Sequence, residues 1–250
     1  MIFIIEDNVT SLLSALYFAF TKNIFPSEVF AEKYYQPRLD EETLKIENNL
    51  SGAQKVKDAL IKYGEDYIVT DLKVCMLSAA KNRYTTAFTY AYRTIKEQKN
   101  IYRKLSDPAV AEFRYTIQKV YSERHRIKGF LRFSETQSGV LYACYSPDND
   151  VTELITPHFA LRLRGIPFII HDLSRGKIAV SDGEKVKYDY TEKKAILNLS
   201  NNEQKVLLLW KTYFGEVNIK DRKNLKLQNG YMPKRYRKFM PETYETNNDK

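Results

Sequence analysis

Apolar and polar positions in the first half of the chain recur mostly at helical spacing. Ile2–Ile5 is a short apolar run that reads as a strand, and Asp7 or Asn8 is placed to cap the helix that follows. In that helix Leu12, Leu13, Leu16, Tyr17 and Phe20 fall three and four residues apart, on one face. Pro26 and Pro37 punctuate its exit, and residues 43–49 alternate Leu44 and Ile46 with charged residues, as an edge strand does. Ser51 is expected to cap a helix over about 52–63, with Gly64 as a left-handed stop. Further helices are predicted over roughly 65–80, 84–101 and 107–126. The last has Ser106 as its cap and Pro108 in its first turn, with Val110, Phe113, Ile117, Val120 and Tyr121 on one face.

The period changes at Gly129. Residues 130–133 and 140–145 are short β-rich runs at hairpin spacing. Residues 150–164 read as a helix in which Pro157 predicts a kink or a late start. A second hairpin, 167–172 with 177–181, turns at Ser174-Arg175-Gly176, and Asp182-Gly183 leads into a strand over 185–190. A helix over 201–214 sets Val206, Leu209, Trp210, Tyr213 and Phe214 on its apolar face. The order β-β-α-β-β-β predicts an α+β fold: a helical N-terminal half, then a mainly antiparallel sheet with packed helices. The expected division is 1–128 (short strand plus helical region), 129–242 (α+β core with a basic C-terminal segment) and 243–250 (frayed tail).

A 43% hydrophobic content is enough for a core and argues against disorder. Cys75 and Cys144 are too few for a disulfide framework or a cysteine zinc site, which fits a reducing cytoplasm. No apolar run approaches the roughly 20 residues of a membrane helix, and the first run has no basic head, so neither a membrane span nor a signal peptide is expected. Charge changes the picture more. The net charge is +9. Residues 205–240 hold ten basic side chains against Glu216 and Asp221, whereas residues 1–50 are net −4. Such asymmetry is expected where one face meets a polyanion such as a nucleic acid.

All three histidines lie between 125 and 182. His125 reads as a solvated residue in the last turn of its helix. His158 and Arg162 share a helix face that suits a phosphate. His171 and Asp172 close a strand on opposite faces, and Asp172 is placed to organise the turn to Arg175. If the protein is itself a nuclease or base-processing hydrolase, the candidate catalytic residues are His158, Arg162, His171, Asp172 and Arg175, converging on one pocket. The histidines have no metal-ligand spacing, and there is no glycine-rich phosphate loop, serine elbow or cysteine triplet, so no metal or cofactor is expected in this chain. The basic tail supplies a nucleic-acid-binding set. Arg222, Lys234, Arg235, Arg237 and Lys238 would neutralise phosphates, Tyr236 would stack on unpaired bases, and Asn224 and Gln228 would read base edges.

Several segments together resemble a known family: G-F-L-R-F (129–133), V-L-Y-A (140–143), P-D-N-D-V (147–151), H-F-A-x-R (158–162), I-H-D (170–172) and R-x-N…Q…M-P-x-R-Y (222–236). The family is a bacterial one of unknown function assigned to DNA repair or DNA metabolism. Its members are typically encoded beside a radical S-adenosylmethionine protein and are in some chains fused to a uracil-DNA glycosylase-like domain. The resemblance extends over nearly the whole chain, the segment 7–20 included. It implies a DNA-linked role and a radical-enzyme partner, with S-adenosylmethionine and an iron–sulfur cluster on that partner; it supplies no catalytic residues. Three roles follow as expectations: a DNA-binding accessory protein acting with that partner, a DNA-processing enzyme with a site in 129–182, or a protein-interaction adaptor without direct DNA binding.

Overall fold

The computed structural model describes residues 1–37, 39, 41–191, 198–217 and 224–241. The chain is α+β and forms two compact units, Met1–Tyr121 and Ser122–Lys250. In the first unit the run Ile2–Ile5 is the central strand β1, with all four residues buried. β2 (Glu28–Ala31) and β3 (Thr43–Lys45) flank it, both parallel to it, in the order β2-β1-β3. The helices are α1 (Val9–Lys22), α2 (Leu50–Tyr63), α3 (Ile68–Met76) and α4 (Arg83–Glu97). Phe3, with no exposed surface, meets the rings of Phe18 and Phe88 edge-on, and Tyr90 stacks on Phe113.

The parallel sheet is the main addition to the sequence reading. β2 is four residues long and alternates only twice, so nothing local marks it; pairing with β1 makes it a strand. Asn8 caps α1 by accepting the Ser11 N–H, within the expected pair. Asn49, not Ser51, caps α2. Gly64 leaves α2 extended (φ −95°) rather than left-handed; the left-handed stops are Asn23 and Gln98. α3 and α4 are shorter than the patterns suggested, because these stops and the intervening turns end them earlier than apolar spacing does.

The boundary between the units falls within α5 (Pro108–Phe130). Asp107, not Ser106, caps this helix, accepting the Ala109 N–H at 3.0 Å. The helix continues through Gly129, so His125 lies within it and not in its last turn, and 130–133 is not a strand.

The second unit is built on a five-stranded sheet in the order β4-β5-β6-β7-β8: Ser134–Glu135, Leu141–Tyr145, Phe168–Asp172, Lys177–Ser181 and Val186–Tyr190. All pairings are antiparallel except β5 with β6. A parallel pair needs a crossover of a dozen or more residues, and α6 (Thr152–Arg162) provides it. Pro157 sits inside α6 without ending it. Gly176 and Gly183 turn the two hairpins at φ +65° and +100°. α6 buries Ile155 and Phe159 against a sheet whose inner residues include Phe168, Ile170 and Ala179. α7 (Asn201–Glu216) is capped by Ser200, whose hydroxyl also donates to Glu135. α8 (Leu225–Tyr231) and α9 (Lys234–Arg237) give the basic segment more helix than its pattern indicated. The tail 243–250 lies outside the described residues. Among the described residues no helix is long and apolar enough to cross a membrane.

Gly52 of α2 packs against α1: a Cβ at that position would run into the ring of Tyr17. Gly52→Ala is therefore expected to destabilise the protein by about 1–3 kcal/mol, as overpacking does. Urea unfolding checks this as a lowered midpoint at constant slope.

Candidate functional site

Glu123 interrupts the buried stripe of α5: Val120 precedes it by three residues and Ile127 follows by four, and all three are buried. Its carboxylate is 3% exposed. Oε2 accepts the Asn149 backbone N–H at 2.8 Å and its side-chain amide at 2.6 Å. Oε1 accepts the Asp148 N–H at 3.0 Å, the Tyr236 hydroxyl at 2.6 Å and Arg235 Nη2 at 3.2 Å. Burial alone would raise the Glu123 pKa, but the Tyr236 hydroxyl and the N–H groups of Asn149 and Asp148 outweigh it and hold the group below its ordinary value. The Pro147–Asp150 turn is gripped from its other side as well. Arg175 donates to the carbonyls of Pro147 (3.3 Å) and Asp148 and to Asp172 Oδ2 at 2.9 Å. Lys177 reaches Asp150 (3.1 Å) and Glu153 (2.9 Å). Three sequence motifs thus meet on one turn: P-D-N-D, I-H-D with Arg175, and P-x-R-Y.

This polar clamp holds the segment around α9 against α5, and the segment continues to Pro241, one wall of a cleft. The cleft has a volume of about 510 Å³ and lies among the end of α5, the end of α6 and α7. Phe133, Phe159, Leu163, Val206 and Trp210 form its apolar surface. Lys128, Arg132 and Arg162 also line it, against a single carboxylate, Glu203, among the described residues. Arg132 donates to the Gly129 carbonyl at 2.9 Å. Like charges crowd one another here. The Lys128 pKa is lowered by burial and by Arg124; that of His158 is lowered by burial and by Lys128 and Arg162. A larger groove of about 770 Å³ runs between α1 and the β3–α2 segment of the first unit. There Lys22 and Lys45 face Glu47, and Lys45 is already paired with Glu32 at 2.7 Å, so no comparable excess of charge collects.

The five candidate catalytic residues do not share a cavity. Arg162 lines the cleft, and His158, half-buried against Phe159, is close enough to feel its charge. Asp172 is fully buried and pairs with Arg175; burial raises its pKa against the pull of Arg175. His171, on the opposite face of β6, has Nδ1 2.8 Å from the Tyr142 hydroxyl, and burial lowers its pKa. Of the nucleic-acid set, Tyr236 is 2% exposed and spends its hydroxyl on Glu123, so neither of its faces is open to a base. Arg235 bridges Glu123 and Asp148, with 40% of its side chain exposed. Arg237 donates to Asn229 at 2.7 Å, and Asn224 accepts the Leu227 N–H in α8. Lys234 and Lys238 are exposed. Arg222 and the Gln228 side chain lie outside the described residues. Glu123, Lys128 and Arg132 escaped the sequence reading as site residues; the signal for Glu123 was a carboxylate on an otherwise apolar helical stripe.

A family described as a domain of unknown function, DUF4130, matches residues 81–242, nearly two-thirds of the chain. The match takes in every residue of the clamp and the cleft, whereas residues 1–80 lie outside it. No curated protein matches the chain.

Truncating Glu123 to Ala would leave several buried donors unpaired, so a loss of about 3 kcal/mol or more is expected. The folded pKa lies below the unfolded value of 4.5, so the carboxylate's contribution is complete above that value and is lost as pH falls through the folded pKa. The stability gap between the unaltered protein and Glu123→Gln should accordingly stay constant near neutral pH and narrow below about pH 4. Urea titrations across that range measure it; a gap that persists into strong acid would contradict the role given to the charge.

Proposed function

The chain belongs to the DUF4130 family, a domain of unknown function, and we propose that it is a DNA-binding accessory protein of DNA repair or DNA metabolism that acts with a radical S-adenosylmethionine partner. The observation that carries the DNA contact is the cleft of the second unit, where Lys128, Arg132 and Arg162 line one apolar-walled cavity opposite a single carboxylate among the described residues. Cations held close together repel one another; a polyanion relieves the repulsion and releases its own counterions. The exposed Lys234 and Lys238 extend basic charge along the C-terminal segment. The partner rests on the resemblance carried by the G-F-L-R-F, P-D-N-D-V, I-H-D and M-P-x-R-Y segments. With only Cys75 and Cys144 in the chain, the iron–sulfur cluster and S-adenosylmethionine are assigned to that partner, and the complex to the cytoplasm.

The test is DNA binding across a salt series. Affinity is expected to fall steeply with salt, and the double variant Lys128→Gln/Arg162→Gln should lower the log–log slope by about 2, one for each phosphate contact removed. Binding that does not respond to salt, or a variant with an unchanged slope, would count against the cleft as the DNA contact. Pull-down with a radical S-adenosylmethionine protein of the kind the resemblance implies tests the second half of the reading; its failure to associate in the presence of DNA would remove the partner.

A further inference from the structure

The cleft differs from a surface that only follows the outside of a duplex. Its cations share a cavity with Phe133, Phe159 and Trp210, so charge and aromatic surface occupy the same space. A stacked, paired base presents only its edge in a groove and cannot reach a recessed aromatic wall. An unpaired nucleotide can meet both surfaces, since its phosphate seeks the cations and its base has an open π-face. The volume of about 510 Å³ lies within the ordinary range for ligand pockets. The aromatic surface also continues beyond the cavity. Trp210 stacks with Tyr213 at 5.8 Å between ring centroids, and Tyr213 and Phe214 are both exposed on α7. α7 buries none of its residues, although Leu208 and Leu209 are also apolar, which leaves a helix whose exposed rings adjoin a cationic cavity.

We propose that this cleft binds an unpaired nucleotide of single-stranded or locally opened DNA, its phosphates on Lys128, Arg132 and Arg162 and its base against Trp210 and Phe133. The proposal rests on the DNA-binding reading above and adds the state of the strand. Trp210 is the one tryptophan of the chain and is 38% exposed, so its fluorescence reports directly on the cavity.

The experiment titrates the full chain with a labelled oligo(dT) and, separately, with a duplex of the same length, following polarisation of the label and fluorescence of Trp210. The expected result is quenching by the single strand and a preference for it over the duplex. Trp210→Ala should lose on the order of tenfold in single-strand affinity, the contribution of one stacked base, while duplex affinity and salt dependence stay as they were. Trp210→Phe keeps an aromatic face and should retain most of the preference, which separates stacking from a general disturbance of α7. Equal binding of both DNAs with unchanged fluorescence would overturn the unpaired-nucleotide proposal and leave DNA binding standing. Absence of binding to either DNA at low salt would overturn both.

Discussion

A carboxylate removed from water must find donors for its lone pairs or lose its charge. In the second unit that requirement falls on Glu123, and much of the surrounding structure answers it. The P-D-N-D turn brings two backbone N–H groups and the Asn149 amide, and the C-terminal segment brings Tyr236 and Arg235. The C-terminal segment adds the buried Tyr236 and Met240, and the P-D-N-D turn is polar throughout but for Pro147. Their relative placement is fixed by directional bonds to one anion, which penalise displacement more sharply than apolar contact does. Arg175, in the β6–β7 turn, and Lys177, on β7, repeat the device on the other side of the turn.

The cleft gathers side chains mainly of one sign: Lys128, Arg132 and Arg162 line it with Glu203. Within the clamp each described charge has a counterpart; at the cleft burial, and after it Lys128 and Arg162, lowers the pKa of His158, and burial, and after it Arg124, lowers that of Lys128. The same helix serves both regions: α5 presents Glu123 to the clamp and, about a turn and a half later, Lys128 to the cleft.

The architecture of the second unit was largely legible because its signals are local. Gly176 and Gly183 mark turns that need positive φ, the strands beside them carry buried residues at alternate positions, and Ser200 opens α7 with a side-chain cap. The three-stranded sheet of the first unit was not legible as a sheet. Its strands are three or four residues long, and two of them owe their form to parallel pairing with β1, a contact made across the chain. The candidate site was half legible. Of the pair that suits a phosphate, Arg162 lines the cleft, whereas His158 is not among its lining residues and only senses the charges of Lys128 and Arg162. The tail motif around Tyr236 stood out as basic and aromatic, but composition does not reveal which of its side chains turn inward. Tyr236 and Arg235 face Glu123, a partner 113 and 112 residues away that reads locally as one more charge in Glu-Arg-His-Arg.

That separation has a bearing on how the chain is made. A ribosome adds roughly 5–20 residues each second, so about 6–23 s pass between the synthesis of Glu123 and that of Tyr236, 113 residues later. Throughout that interval the carboxylate lacks its closing donors and is better left hydrated, which disfavours early burial of the P-D-N-D turn. The residues of the first unit, Met1–Tyr121, are all synthesised before Glu123. Completion of the second is timed by its last helices, so the nascent chain carries an open, solvated half until its C-terminal segment emerges.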